Sequence, residues 1–373
     1  MAGIYIHIPF CKQACHYCDF HFSTSLKNKD ALINSILIEI DNRAEKWQKY
    51  TFDTIYFGGG TPSIVEVADI AMILEKITQK FHISSSPEIT LEGNPDDFTP
   101  KKTKAFQQLG INRLSIGIQS FFEEDLIKLN RSHTSNQAEN AIKTAQDVGV
   151  NNLTIDLIYG IPQLTNEKWL QNIQKALDFD IPHISAYALT VEKNTVLDYQ
   201  IKKSIFPPLS EKQSSEQFDL LRKTLINNDF LHYEVSNFGK REFLSKHNTN
   251  YWKNVPYLGL GPAAHSFNGQ KRRWNISNNA KYIKQINGDY FEEEILSKTD
   301  LYNETIMTGL RTMWGVDLDK IAQIDKKFLS NLLQDVRKYI ENKQLFIQDN
   351  HLVAYPSSIF IIDGIISDLF KLD

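Results

Sequence analysis

Short apolar runs alternate with amphipathic patterns along the first half of the chain. Six runs are strand candidates: "GIYIHIP", "TIYFGGG", "EITLEGNP", "RLSIGIQS", "LTIDLIYGIP" and "HISAYALT". Between the second and third runs, apolar residues recur in steps of three and four at Val67, Ile70, Leu74, Ile77 and Phe81, which predicts a helix with one apolar face. Alternating strands and helices favour parallel pairing through right-handed crossovers. The sequence therefore predicts an α/β fold built as a partial, open (β/α)6 barrel.

The pattern changes after about Phe206. Residues 1–205 are predicted to form the barrel, and residues 206–296 an extension in which a long helical stretch through Gln217 and Leu221 precedes aromatic-rich segments. Residues 297–373 contain patterns of short amphipathic helices and then "LFIQDNHLVAY". This segment predicts two short strands around an Asp-Asn turn. We expect this last region to form a small α+β winged-helix-like domain.

Charge and composition exclude several classes of function. The net charge is -4 and no strong basic stripe is present, so the sequence predicts no nucleic-acid partner. The apolar runs are too short to span a bilayer, which predicts no transmembrane segment. The amino terminus enters the first apolar run without the features of a signal peptide, so we expect a cytoplasmic protein.

All three cysteines lie within "IPFCKQACHYCDF", residues 8–20, at Cys11, Cys15 and Cys18. Their C-x3-C-x2-C spacing on a loop after a strand would let three thiolates converge on one centre, as iron–sulfur clusters require. A [4Fe–4S] cluster needs four ligands, so three cysteines would leave one iron open to a small molecule. A zinc site completed by His16 or His21, and thiols without a metal, are the alternatives.

The C-x3-C-x2-C spacing with Tyr17 before the last cysteine resembles the signature of radical S-adenosylmethionine (SAM) proteins. The resemblance implies the partial barrel fold, a [4Fe–4S] cluster and SAM as cofactor. It also implies that the open iron binds the amino and carboxylate groups of SAM, and that an electron from the cluster cleaves SAM to a 5′-deoxyadenosyl radical.

Polar residues follow successive predicted strands where each strand ends. Glu92 closes the third, Gln119 the fourth and Asp156 the fifth, each among apolar neighbours. Burying such groups is unfavourable without a partner, and the carboxyl ends of barrel strands are where β/α barrels carry their chemistry. A ligand is one possible partner; a neighbouring helix or solvent is the other.

The second strand ends in a glycine run followed by Thr61 and Pro62, which either forms a tight turn or lets backbone approach a ligand. The radical SAM resemblance implies that this turn binds the methionine amino group of SAM. Carried over position by position, it implies that the SAM site contains Tyr5, Gly59, Gly60, Glu92, Gln119, Arg131, Asp156 and Ala188.

The resemblance extends over nearly the whole chain through "YIHIPFC", "YFGGGTPS", "SIGIQSF", "DLIYGIP" and "YEVSNF". These motifs are similar to those of the oxygen-independent coproporphyrinogen III oxidase-like family. The oxidases carry a fourth cysteine two residues after the third cluster ligand, where this chain has Phe20, and they carry an amino-terminal extension. "HNTNYW" at residues 247–252 instead resembles the H-N-x-x-Y-W signature of the family's heme-chaperone branch.

The resemblance to the heme-chaperone branch implies that the protein binds heme as a further ligand. His247 is the candidate heme ligand, with Tyr251 and Trp252 positioned to stack on a porphyrin, since an imidazole can ligate heme iron. Packing against the barrel is the alternative role for these side chains, and His265 is the alternative iron ligand.

Membership of the heme-chaperone branch further implies a homodimer and the delivery of heme to a respiratory acceptor protein, with possible peripheral contact at the inner membrane. It implies no coproporphyrinogen oxidase activity. A radical SAM oxidoreductase acting on a tetrapyrrole, namely a coproporphyrinogen III dehydrogenase, is the second interpretation, and a zinc-stabilised binding module is the third.

Overall fold

The computed structural model describes residues 1–372. It confirms the predicted strands, which form β1 to β6 and pair in parallel in chain order. They are Ala2–Ile8, Thr51–Gly59, His82–Gly93, Arg113–Gln119, Leu153–Tyr159 and His183–Ala188. Every residue of β4 is buried, as expected for a parallel strand that is covered on both faces.

Helices connect the strands and cover the sheet. They are α1 (Lys29–Trp47), α2 (Val67–Lys80), α3 (Pro100–Gln108), α4 (Glu123–Lys128), α5 (Ser135–Asp147) and α6 (Asn166–Asp178). The helix predicted from apolar spacing is α2, whose Ile70, Leu74 and Ile77 are buried. A capping box between Glu66 and Asp69 fixes its first turn, because each side chain accepts a hydrogen bond from the other residue's backbone.

Residues 206–296 extend the same sheet at both of its edges. The helices after β6 are α7 (Val196–Lys202), α8 (Glu211–Ile226), α9 (Lys246–Trp252) and α10 (Asn279–Gln285). The strands are β7 (Leu231–Glu234), β8 (Asn237–Gly239), β9 (Tyr257–Leu260), β10 (His265–Phe267), β11 (Lys271–Asn275) and β12 (Phe291–Ile295).

The resulting sheet has twelve strands in the order β12-β11-β10-β9-β1-β2-β3-β4-β5-β6-β8-β7. Strand β9 pairs in parallel with β1, whereas β8 pairs antiparallel with β6. The extension therefore continues the barrel sheet on either side. The boundary near residue 206 remains a prediction, since no structural discontinuity in the sheet marks it.

The carboxyl-terminal region has its own apolar core, built around Tyr302, Leu332 and Leu352. Its helices are α11 (Lys298–Leu310), α12 (Leu318–Ile324), α13 (Lys326–Asp335), α14 (Arg337–Glu341) and α15 (Ile362–Leu369). Its sheet contains β13 (Val316–Asp317), β14 (Leu345–Gln348) and β15 (His351–Ala354), in the order β13-β15-β14. The predicted Asp-Asn turn joins β14 to β15, with positive φ at Asp349 and Asn350.

Short 3-10 helices occur at Pro62–Ile64, Pro95–Asp97, Arg241–Phe243 and Pro356–Ile361. Within residues 1–372, none of the helices combines the length and the apolar character needed to cross a membrane.

Candidate functional site

A cavity of about 410 Å³ opens at the carboxyl ends of β2 to β6. Most of the residues predicted from strand ends and from the cysteine motif line this one cavity. They are Cys11, Cys15, Tyr17, Cys18, Gly59, Gly60, Thr61, Glu92, Gln119, Arg131, Asp156 and Ala188. We call it the cysteine cavity. Tyr5, His247, Tyr251 and Trp252 are not among the residues that line it.

The cysteine loop is tied to the barrel by its backbone and by contacts to sulfur. The Cys11 N–H donates to the Ser23 carbonyl at 3.0 Å, and the Thr61 hydroxyl lies 3.6 Å from Cys11 Sγ. The three thiols are free and partly buried, and burial raises the pKa of Cys11 and raises that of Cys18 to about 11. Bare thiolates are therefore unfavourable here, whereas cationic iron would stabilise them. The donor set fits an iron–sulfur cluster.

Within residues 1–372, no group of three or more Cys, His, Asp or Glu side chains is arranged around one single-ion position. Each cysteine of a [4Fe–4S] cluster binds a different iron, so a cluster does not require such convergence. Each histidine of the zinc alternative has one ring nitrogen engaged, which still leaves the other nitrogen for a metal. His16 Nδ1 lies 3.2 Å from the Lys128 carbonyl, and His21 Nε2 lies 2.7 Å from Asn279 Oδ1. The lack of a single-ion arrangement among the described residues therefore favours the cluster over zinc.

The glycine run forms a tight contact with the cysteine loop. A Cβ at Gly60 would lie 2.6 Å from the Phe10 carbonyl oxygen, so only glycine fits beside the residue that precedes Cys11. The Thr61 N–H donates to that same carbonyl at 2.6 Å. Close packing therefore explains the glycine at position 60, and Gly59 and Gly60 both still face the cavity.

Two acidic side chains of the cavity wall are held in a weakly hydrated environment. Glu92 lies near the end of β3, whereas Asp156, predicted to close the fifth strand, lies in the middle of β5, because that strand continues to Tyr159 in its pairing with β6. Burial raises the pKa of Glu92 to about 7 and that of Asp156 to about 6. Glu92 accepts hydrogen bonds from the Tyr56 hydroxyl at 2.6 Å and from the Gly59 N–H at 3.2 Å. A cationic ligand would favour the ionised forms of both carboxylates. The cavity is thus complementary to a positively charged molecule, and SAM carries a sulfonium.

Arg131 holds the cysteine loop against the strand ends. Its Nη1 lies 3.2 Å from Cys15 Sγ and 3.2 Å from the Tyr17 hydroxyl. Its Nη2 donates to Asn94 Oδ1 at 2.6 Å and to the Gly117 carbonyl at 3.0 Å. Both terminal nitrogens are therefore engaged by protein groups. In this structure Arg131 positions the cavity wall.

Gln119 has a strained backbone at the point where β4 ends. Its φ is 65°, in the left-handed region that non-glycine residues rarely adopt. Within residues 1–372 its side-chain amide forms no hydrogen bond with another residue, although the residue is buried in the cavity wall. Strain of this kind is typical of ligand-binding positions, and the free amide is available to a ligand.

A second, larger cavity of about 810 Å³ adjoins the first, and Phe20 and Tyr187 line both. We call it the aromatic cavity. Its wall includes three of the predicted site residues, Tyr5, Tyr251 and Trp252. Further lining residues come from β10 and β11 and from the carboxyl-terminal region, including His265, Phe267, Arg272, Met307 and Arg311.

His247 lies behind the wall of the aromatic cavity. It is 1% exposed, and both of its ring nitrogens have partners, Thr54 Oγ1 at 2.8 Å and the Tyr251 hydroxyl at 2.9 Å. Its ring also stacks on Tyr56 at a centroid distance of 4.9 Å. Burial lowers the pKa of His247 to about 3, so the imidazole is neutral. The structure thus gives this histidine the packing role that was the alternative to iron ligation.

The helix that carries the H-N-x-x-Y-W motif is fixed by a residue the sequence analysis missed. The carboxylate of Glu88 accepts hydrogen bonds from the backbone N–H of Lys246 at 3.2 Å and of His247 at 3.0 Å, while Ser245 Oγ accepts from Asn248 N–H at 3.2 Å. Glu88 and Glu92 are both on β3 and four residues apart, so strand alternation places them on one face. That alternation was the signal that could have identified Glu88.

Other missed residues are Tyr56 and Asn94, which contact predicted site residues, and Tyr187, which separates the two cavities. Asn94 stands inside the "EGNP" segment, directly after β3. Tyr56 opens the "YFGGGTPS" motif and Tyr187 directly precedes Ala188, so nearness to predicted site residues was the signal that could have identified both.

Comparison with known proteins agrees with this geometry. The Radical SAM superfamily profile matches residues 5–182, and the HemN C-terminal domain profile matches residues 296–360. The chain is 31% identical to the heme chaperone HemW of Lactococcus lactis over 99% of this chain and 97% of that protein. It is also 31% identical to that of Bacillus subtilis over 92% of each. The coproporphyrinogen III oxidase HemN of Escherichia coli shares the fold, with a TM-score of 0.84 at 20% identity, covering 99% of this chain and 90% of that one.

A three-cysteine loop on a partial β/α barrel, together with the profile match, defines a radical SAM protein. Within that superfamily the chain belongs to the heme chaperone HemW family. The predicted family and the predicted branch are both confirmed.

Proposed function

We propose that this protein binds a [4Fe–4S] cluster, SAM and heme, and delivers heme to an acceptor protein. The observation that carries the proposal is the pair of adjoining cavities, one lined by the three cysteines and the other by aromatic side chains. The names of the relatives from Lactococcus lactis and Bacillus subtilis support the assignment to heme.

The cysteine cavity supplies the groups that a cluster and SAM require. Cys11, Cys15 and Cys18 would hold the cluster, which supplies an electron when bound. The carboxylates of Glu92 and Asp156 would face the cationic part of SAM, and the free amide of Gln119 would donate to it or accept from it. These assignments rest on the lining and on the raised pKa values of the two carboxyl groups.

The aromatic cavity has the size and chemistry that heme requires. Ligand cavities are usually about 300–1,000 Å³ and mostly apolar with a few polar groups. Tyr251, Trp252 and Phe267 offer flat apolar surfaces, and the guanidinium groups of Arg272 and Arg311 line the same space. Arg272 pairs with Glu304 at 2.6 Å and Arg311 with Asp363 at 2.7 Å, so each arginine retains N–H groups for a heme propionate.

A homodimer, a respiratory acceptor protein and peripheral contact with the inner membrane are parts of the same proposal, as is a cytoplasmic location. These parts of the proposal are supported by membership of the HemW family.

The second candidate function is a radical SAM oxidoreductase acting on a tetrapyrrole. The observation that favours it is the shared wall of Phe20 and Tyr187, which would place a tetrapyrrole beside SAM. Phe20 stands where the oxidases have a fourth cysteine, and its side chain is 70% exposed at that wall. The oxidases have a thiol at this position, whereas this chain has an apolar ring, and this difference favours the chaperone function.

The test uses the anaerobically reconstituted protein with SAM and an electron donor. We expect stoichiometric hemin binding with a Soret band, transfer of heme to an apo-acceptor, and no protoporphyrinogen from coproporphyrinogen III. Cys15→Ala should lose iron and the broad thiolate-to-iron absorption yet keep its fold by circular dichroism. Multiple turnovers of coproporphyrinogen would replace the chaperone by the oxidoreductase, and wild-type iron content in Cys15→Ala would refute the cluster assignment.

A further inference from the structure

Three histidines line the aromatic cavity, and they differ in how their ring nitrogens are used. His7 Nδ1 lies 3.1 Å from the Tyr5 hydroxyl, and His7 Nε2 lies 3.0 Å from the His21 carbonyl. His21 Nε2 lies 2.7 Å from Asn279 Oδ1. For His265, neither ring nitrogen forms a hydrogen bond with any residue in the described range 1–372. His265 is therefore the cavity histidine whose imidazole is fully available to a ligand.

The backbone of His265 is held in place from two sides. Strand β9 runs so close that a Cβ at Gly259 would overlap the His265 carbonyl group. The next residue, Ser266, points the other way, and its hydroxyl accepts from the Gly259 N–H at 3.0 Å and from Arg43 Nη2 at 3.2 Å. Because neighbouring residues of a strand face opposite sides, this anchoring of Ser266 directs His265 toward the cavity.

The antiparallel partner strand places complementary groups beside His265. Phe267 pairs with Arg272 across β10 and β11, and both side chains line the aromatic cavity together with His265. The hairpin thus offers an imidazole, an aromatic ring and a guanidinium on one side. The His265 ring also lies near Trp274, at a centroid distance of 6.3 Å and an interplanar angle of 28°.

We propose that His265, rather than the motif residue His247, is the axial iron ligand when heme occupies the aromatic cavity. This inference rests on the heme-binding function proposed above. A neutral imidazole is a common axial ligand of heme iron. His247 could reach iron only by breaking its hydrogen bond to Thr54 or to Tyr251 inside a buried cluster, whereas His265 needs no rearrangement of hydrogen bonds.

The experiment is hemin titration of the cluster-loaded protein, followed by absorption and electron paramagnetic resonance spectroscopy. In His265→Gly we expect the wild-type Soret band to shift and the hemin affinity to fall at least roughly tenfold, since even a residue that only supports a metal ligand contributes that much. Free imidazole should restore the wild-type spectrum, which a merely structural role of His265 would not allow. His265→Gln, which keeps a side chain of similar length on β10, should show the same loss without imidazole.

The control is His82→Gly, which removes an exposed histidine outside both cavities and should bind hemin as the wild type does. His21→Gly tests the rival ligand, because His21 lines the same cavity and only its Nε2 is bonded, to Asn279, which leaves Nδ1 for iron. It should keep the wild-type hemin spectrum. A wild-type spectrum in His265→Gly, or a loss confined to His21→Gly, would overturn the ligand assignment while heme binding stands. Failure of the wild-type protein to bind hemin would overturn the proposed function and the ligand assignment together.

Discussion

Glu92 shows how one residue can oppose folding and still serve binding. Its carboxyl group is partly buried near the end of β3, where it accepts hydrogen bonds from the Tyr56 hydroxyl and from the Gly59 N–H. Those two donors do not compensate for the lost hydration, so burial raises the pKa of Glu92 to about 7. The ionised carboxylate is unfavourable until a cation enters the cavity. This conflict is typical of functional sites, where local stability is sacrificed for ligand binding.

The raised pKa of Glu92 predicts a pH dependence with a defined sign. An unfolded glutamic acid ionises near its ordinary value of 4.5, whereas Glu92 in the folded protein stays protonated up to about pH 7. The folded state therefore holds the extra proton between these values, and the free energy of unfolding falls as the pH rises through that window. The pKa of Asp156, raised to about 6, contributes with the same sign.

For Glu92→Gln we expect a smaller fall in stability between pH 6 and pH 7, and higher stability than wild type at pH 7.5 without SAM. The same variant should bind SAM roughly tenfold to hundredfold more weakly, since it loses a charged partner. Thermal unfolding and SAM titration of the cluster-loaded protein measure the two effects. Glu123→Gln, on the first turn of α4 outside both cavities, is the control. Wild-type SAM affinity in Glu92→Gln would exclude this carboxylate from the site.

Helix α9 illustrates how an element depends on a distant strand. It is only seven residues long, too short to be stable alone, and three of its first N–H groups are satisfied by Glu88 and Ser245. Its buried His247 then bonds to Thr54 and Tyr251 and stacks on Tyr56, which in turn bonds to Glu92. The motif helix is thus a packed link between the two cavities.

Replacing Glu88 with alanine should loosen α9 specifically. The change leaves two backbone N–H groups without their carboxylate, and each charged hydrogen bond is worth about 1.5–3 kcal/mol. We expect a lower melting temperature, faster hydrogen exchange in Lys246–Trp252 and weaker hemin binding.

The matched control is Asp125→Ala, which removes another buried carboxylate that is bonded to Ser120 Oγ at 2.8 Å and lines neither cavity. It should destabilise the protein without changing hydrogen exchange in α9 or hemin affinity. Equal effects of the two variants on hemin binding would show that Glu88 contributes only to general stability.

At the scale of the whole molecule, the aromatic cavity lies between two apolar cores. The main core includes the barrel and its extension, and the second core belongs to the carboxyl-terminal region. Hydrogen bonds join the two across the cavity rim, from Asn254 Nδ2 to Thr308 Oγ1 at 3.2 Å and from Val235 N–H to the Arg311 carbonyl at 2.9 Å. A ligand in this cavity would contact both cores at once.

Heme binding should therefore slow backbone hydrogen exchange in the barrel extension and in the carboxyl-terminal region together. A ligand that binds only the folded state stabilises the elements it contacts. Hydrogen exchange followed by mass spectrometry should show protection on hemin addition in Tyr257–Leu260 and in Lys298–Leu310. The hairpin formed by Leu345–Gln348 and His351–Ala354 lines neither cavity and should not change. Protection limited to one of the two regions would contradict a shared site.

Local pattern alone determined the barrel strands, the amphipathic helices, the Asp-Asn hairpin and the cysteine loop. Each depends on a short repeat or spacing, because side-chain direction in a strand or helix follows from the backbone period. Glu92 and Gln119 could also be predicted, because the carboxyl ends of parallel strands must lie together. Asp156 was expected to close a strand for the same reason, but it lies in the middle of β5 and still lines the cavity. The family motifs added the SAM and heme assignments to this framework.

Only the tertiary structure decided which of these residues share a cavity. His247 stands 193 residues from Thr54 in sequence, and no local pattern shows that the two side chains meet and occupy a ring nitrogen of the histidine. The same holds for the aromatic cavity, whose walls come from β1, β10, α9 and α11. The physical reason is that hydrogen-bond partners and cavity walls arise from contacts between distant elements, whereas sequence periodicity reports only which face of one element is buried.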